Sequence, residues 1–239
     1  LRAFYFGRVG WDALGAMLVI SGAFGLFRRE TAVRVGGYAT DTVGEDMELV
    51  VRMHRQLREA GQDYRVRFVP DPVAWTKVPS TLQDLGRQRD RWQRGLADSM
   101  IRHQQMLLNP RYGTVGMLAY PFFYMLETFG PILELMGYIT FVVALIAGTL
   151  SGPFMLAFFL VAFMLGTALS LSAVTLEELT FRRYEKTADF AQLLFLPVVE
   201  TFGYRQINAW WRVRGLWSYF RGNKEWGAME RAGFDSPDD

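Results

Sequence analysis

"PSTLQDLGRQRDRWQRGLADSMIRHQQML", residues 79–107, decides how the chain is read. Pro79 followed by Ser80 or Thr81 supplies a helix start. Within the helix, Gln88, Arg91 and Trp92 stand at i, i+3 and i+4 and so share one face. That face combines an amide, a planar cationic fork and a flat aromatic ring. Arg89 and Arg94 fall to either side of it, where anionic lipid headgroups are expected to meet them. A basic helix lying on a membrane has the same composition, with Trp92 in the aromatic belt. The flanking sequence separates these two readings.

Upstream, "EDMELVVRMHRQLREAGQ" (45–62) predicts a helix. Its acids occupy the first turn, where the macrodipole favours them. Met47, Val50, Val51, Met53 or His54, and Leu57 form its apolar stripe, and Gly61 ends it. Before it, "RRETAVRVGGY" predicts a short helix closed by Gly36 and Gly37. "MLVISGAFGLFRRE" (17–30) begins as a buried strand interrupted by Gly22 and Gly25. "YRVRFVPDPVAW" (64–75) alternates as an edge strand does. This order of strands and helices predicts part of an α/β layer. The chain opens on Leu1 and is read as one part of a longer polypeptide, with no signal peptide in view.

Downstream, the composition changes. Glu127 and Glu134 are the only charges in residues 112–150, and residues 153–176 carry none. A bilayer core requires about 20 apolar residues of helix, so two crossings are expected, through about 130–150 and 153–176. Residues 113–130 fit an interfacial helix or a further span. Residues 190–211, interrupted by Pro197, Glu200 and Arg205, fit an interfacial or re-entrant segment. The basic runs 182–186 and 211–224 favour the cytoplasmic side. Three regions follow: 1–112, which mixes charged and apolar residues; 113–211, transmembrane and interfacial helices; and 212–239, a basic cytoplasmic tail.

Composition excludes several classes. The chain has no cysteine and two histidines, and its formal net charge is +2. Disulfide and thiolate chemistry are therefore out, a zinc site is not expected, and nothing points to nucleic acid.

"GED" (44–46) placed ahead of "QRDRW" (88–92) and of apolar spans resembles the membrane-embedded family 2 glycosyltransferases, the group of cellulose, hyaluronan, chitin and poly-N-acetylglucosamine synthases. "ISGAFGLFRRE" (20–30) and "GGY" (36–38) resemble that family's elements ahead of the acidic motif. The tail "RGNKEWGAMERAGF" (221–234) resembles tails of bacterial members. The resemblance implies a GT-A-like catalytic domain, here its acceptor-side half, followed by an α-helical transmembrane region. It implies inverting transfer, possible in repeated cycles, from a nucleotide sugar such as a UDP-sugar to a glycan or lipid-linked acceptor. The setting it implies is the cytoplasmic face of a bacterial inner membrane. Asp46 matches the general base. Gln88, Arg91 and Trp92 match the motif that holds the donor diphosphate and the acceptor sugar. Ser21 and Gly22 match the strand edge lining the acceptor end, and Glu45 supports the acidic loop. Mg²⁺ or Mn²⁺ is implied, with its ligands upstream of residue 1. A membrane transport or scaffold subunit without catalysis is the competing reading. It would draw on Glu127 and Glu134, whose plainer role is as helix-end groups near headgroups.

Overall fold

The computed structural model describes residues 2–20, 22–69, 74, 76–181, 194–196, 199–223 and 225. Among the described residues the helices that position the site are α1 Arg2–Ala13, α2 Arg29–Arg34, α3 Glu45–Glu59, α4 Leu82–Arg102, α5 Gly130–Ile146, α6 Gly152–Phe181 and α7 Tyr204–Phe220. Short 3₁₀ turns at Gln104–Met106 and Pro110–Tyr112, then π-helical stretches at Val115–Ala119 and Phe122–Thr128, lead from α4 into α5.

Local chemistry explains the helix ends. α3 starts at Gly44 with Glu45, Asp46 and Glu48 in its first turn, where carboxylates offset the exposed N–H groups. It closes at Gly61 (φ +62°), where the Gln62 N–H reaches back to the Leu57 carbonyl. Thr81 is the cap of α4: its hydroxyl accepts from the Asp84 N–H at 3.1 Å and donates to the Asp84 carboxylate at 2.7 Å. Gly36 and Gly37, both at positive φ, close α2.

The α/β expectation requires correction. No strand is assigned among the described residues, and residues 16–20 and 62–69 are irregular. Alternating side chains define two faces, but only hydrogen bonds to a neighbouring strand make a ladder. Of the stretch 64–75, residues 70–73 and 75 lie outside the described residues. So do Ser21 and the basic run 182–186.

One core ties α3 and α4 to the start of the longer apolar helix. Ala16 and Leu18, Val51 of α3, Leu96 and Met100 of α4, and Met106, Tyr112, Val115, Ala119, Tyr120 and Phe123 form a single buried cluster. A second cluster packs α2 on α3 through Val35, Leu49, Met53 and Leu57. Two helical stretches, Val115–Ile146 and Gly152–Leu176, are long and apolar enough to cross a membrane, and their apolar side chains are mostly exposed. Residues 115–128 thus continue into α5 rather than lying apart from it. α7 takes in Trp210 and Trp211 and packs along α4 and α5.

Glycines set the spacing around α4. A Cβ on Gly44 would lie 2.7 Å from the Gly95 Cα, and one on Gly95 would lie 2.9 Å from the Gly44 Cα. On another side, a Cβ on Gly86 would meet the Trp211 ring at 2.8 Å, and one on Gly215 the Asp90 carbonyl oxygen at 2.5 Å. Both backbone contacts need the absence of a side chain. Gly95→Ala should therefore push α3 off α4 and cost about 1–3 kcal/mol, the usual range for overpacking. A lowered thermal midpoint of the detergent-solubilised protein would report it.

Candidate active site

Asp46 lies in the first turn of α3, half-buried. Its Oδ1 accepts from the Met47 N–H at 2.8 Å. Gly22 faces Oδ2 so closely that a Cβ there would stand 2.7 Å from it. The two residues border a cleft of about 220 Å³ whose wall also includes Ile20, Phe27, Tyr38 and Glu45. Phe27 and Tyr38 meet edge to face at 6.3 Å, and the exposed Tyr38 offers an aromatic surface to the opening.

Burial raises the Asp46 carboxyl above its ordinary value. Hydrogen bonds from the Met47 and Asp46 N–H groups, and the charges of Arg8 and Arg91, pull the other way without overcoming it. Burial likewise lowers the Arg8 guanidinium to about 10, against the pull of Asp46. Asp46 thus shares the edge of this cleft with the charges of two guanidiniums, Arg8 of α1 and Arg91 of α4.

The two α4 residues that flank this point face different surroundings. Arg91 is 8% exposed and lies within electrostatic reach of Asp46, whereas Trp92 is 43% exposed. The Arg89 guanidinium stacks over the Trp92 ring at 4.9 Å, so one face of the indole is already covered. Gln88 is half-buried, and no α4 residue lines the cleft. Ser21 lies outside the described residues. Arg94 departs from the surface role its position suggested. It is 5% exposed, pairs with Asp90 at 3.1 Å and donates to the carbonyls of Asn223 and Glu225. The Asp90 carboxylate at i−4 and the two carbonyls at the end of α7 supply a buried seat that helix periodicity alone does not show.

Behind the cleft, α3 is fixed by a buried network. Glu48 accepts from Arg52 at 2.7 Å and meets His103 Nε2 at 3.1 Å, and Arg52 donates to the carbonyls of Val35 and Gly37, each at 2.6 Å. Burial acts to raise the Glu48 carboxyl, but His103 and Arg52 outweigh it and hold it below its ordinary value. His54, with ring nitrogens on the Met17 carbonyl and the Tyr64 hydroxyl, is pushed by burial to about 4 and stays neutral.

The donor set beside Asp46 does not suit a divalent cation, because its charged neighbours are guanidiniums. Among the described residues, no group of three or more His, Cys, Asp or Glu side chains could hold a metal ion.

Sequence reasoning missed Arg8, which sits in "FYFGRVGW" with no motif around it. It also placed Glu127 and Glu134 near headgroups. In the structure Glu127 pairs with Arg212 and Glu134 with Arg205, both at 2.9 Å, partners the sequence reading did not name. The signal was present: two acids seven apart in one segment, and two arginines seven apart in another.

Comparison with known proteins identifies the family. Residues 2–171 match the family described as "Glycosyl transferase family group 2". Over 88 residues, 37% of this chain, the sequence is 35% identical to poly-beta-1,6-N-acetyl-D-glucosamine synthase of Staphylococcus aureus (strain COL). It is 33% identical over the same length to the protein of that name from Staphylococcus epidermidis. The aligned part spans 20% of each relative's length. No solved structure matches.

Gly22→Ala would place a methyl group against the flexible end of Asp46 rather than against backbone. It should leave the thermal midpoint nearly unchanged, with a cost under about 1 kcal/mol. It should also turn the carboxylate away from the cleft, and the side-chain rotamer seen by crystallography or NMR checks this.

Proposed function

The chain belongs to glycosyl transferase family group 2, and from that membership we propose that it carries the acceptor-side half of an inverting glycosyltransferase acting at the cytoplasmic face of a bacterial inner membrane. One observation carries the reading: the Asp46 carboxylate stands at the mouth of an aromatic-walled cleft, with its basicity raised by burial and with Arg91 beside it. In the proposed step, Asp46 takes the proton of an acceptor hydroxyl. The acceptor oxygen attacks the anomeric carbon from one face, and the nucleoside diphosphate leaves from the other with the bonding electron pair. Arg91 neutralises charge on the departing diphosphate as a planar donor fork. Gln88 supports the diphosphate, the open face of Trp92 takes a sugar ring, and Glu45 and Gly22 shape the acceptor end.

The donor is proposed to be a UDP-sugar and the acceptor a glycan or a lipid-linked sugar. The printed name of the matched relatives makes UDP-N-acetylglucosamine the first donor to try. The divalent ion the family uses would be held by residues preceding this chain, and no step here passes through it. Two helices of spanning length, and basic sequence flanking them, support a membrane setting. The regions 1–112, 113–211 and 212–239 are proposed as catalytic, membrane and tail parts.

Asp46→Asn in the full-length polypeptide should cut turnover by about 10²–10⁴, the worth of a positioned base. Release of nucleoside diphosphate from a radiolabelled donor by membranes reads it. Because the fold raises the Asp46 pKa, the protonated form is the one folding favours. The neutral variant should then keep or slightly raise the thermal midpoint. The working form is ionised, so wild-type activity should climb with pH through a limb above the ordinary carboxylate range. Near-wild-type turnover in Asp46→Asn sinks the assignment.

Arg91→Lys keeps the charge but loses the fork. It should cost at least about tenfold in kcat/KM for the donor. Arg89→Lys, which keeps a cation over Trp92, should cost little. Equal losses in steady-state assays would contradict the separate roles.

A further inference from the structure

Pro131 opens a gap in the longer apolar helix, and α4 and α7 fill it. Proline has no N–H, so the Glu127 carbonyl four residues earlier lacks its helical donor. The next donor is also diverted: the Ile132 N–H bonds to the Phe129 carbonyl at 3.0 Å rather than four residues back to Thr128. Bare carbonyls in an apolar helix are costly. Gln93 of α4, 2% exposed, donates its Nε2 to the Thr128 carbonyl at 2.8 Å and to the Glu127 carbonyl at 3.4 Å. Arg212 of α7 donates Nε to the Gln93 Oε1 at 2.8 Å. Its Nη2 reaches both the carboxylate of Glu127, at 2.9 Å, and the Glu127 carbonyl.

Gln93 directly follows Trp92 and is two residues from Arg91. Its amide is saturated by one carbonyl pair and one guanidinium, so the height and rotation of α4 are read from the break at Pro131. Arg212 completes the joint because one planar fork serves three acceptors on two elements. The Arg205–Glu134 pair lies one two-turn step along the same helices; its arginine is more exposed than Arg212, and its hydrogen bonds run between Arg205, Glu134 and Tyr138. It is the natural control.

We propose that Arg212 is a positioning residue for sugar transfer: through Gln93 and Glu127 it fixes the helix bearing Gln88, Arg91 and Trp92 against the broken apolar helix. This rests on the transferase reading above. Lysine at 212 keeps the charge opposite Glu127 but cannot also hold Gln93. In the full-length polypeptide in native membranes, Arg212→Lys should lower kcat by about ten- to a hundredfold, the scale of a small misplacement of reacting groups. The donor KM should stay within about twofold, since no contact to the donor is removed. Amide exchange should quicken in residues 88–95 and stay unchanged in 45–59. Gln93→Asn, one methylene too short to reach the carbonyls, should show the same split. Arg205→Lys should match wild type in all three readouts.

Wild-type kcat in Arg212→Lys or in Gln93→Asn overturns the inference, as does an equal loss in Arg205→Lys or a rise in donor KM that accounts for the loss. Membranes in which the wild-type protein transfers no sugar would overturn the transferase reading, and this inference with it. Active wild type beside fully active variants overturns the inference alone.

Discussion

The contact between Gly44 and Gly95 is the constraint on which the rest of the site depends. With Cβ positions that would lie under 3 Å from the opposite backbone, the two residues let the start of α3 rest on the middle of α4. Asp46 lies two residues from one glycine and Arg91 four from the other, which is why the carboxylate and the guanidinium feel each other. Any side chain at either glycine would add at least a methyl group's width between them. The glycine of "GED" is thus a spacing element as much as a helix start.

The same logic acts on the far side of α4. Gly86 under Trp211 and Gly215 over Asp90 bring α7 to backbone contact, and the charged pairs then lock the register. Asp90 accepts from both Arg94 and Arg214. Arg94 in turn holds the chain at Asn223 and Glu225. α4 is therefore held from two directions by close backbone approach and tied down by guanidiniums. The α3 side has its own tie, where Glu48 joins His103 at the end of α4 to Arg52, and Arg52 grips the carbonyls of the loop that presents Tyr38. A buried ion pair alone is a weak source of stability. Here Arg52 and Arg94 also donate to carbonyls, so their pairs specify geometry.

Much of this was legible in residue order. The acids after Gly44, the glycine after Ala60 and the Thr81 cap bounded α3 and α4. "GED" and "QRDRW" named Asp46 and Arg91 before any geometry was known. What failed was whatever depends on partners distant in sequence. Tyr64 to Phe68 alternate as a strand would, yet alternation says nothing about a neighbour to pair with. Arg94 sits on the flank of the Gln88 face, and its burial comes from carbonyls at 223 and 225. Glu127 and Glu134 read as headgroup-level charges because the arginines that pair with them lie some 70 to 85 residues on. Arg8 carries no motif and gains its meaning only from α1 crossing near Asp46.

If Asp46 is the base proposed above, its electrostatics face two opposed demands. A base is weakened by nearby cations, because they favour its ionised form. A departing diphosphate requires a cation close by. Placing Arg8 and Arg91 beside Asp46 in open water would serve the leaving group at the expense of the base. Burial shifts the balance, since desolvation raises the carboxyl by more than the two guanidiniums and the helix N–H groups lower it. Spacing and basicity are therefore one property of the fold: loosening the helices would hydrate the carboxylate and weaken it as a base while moving it away from Arg91.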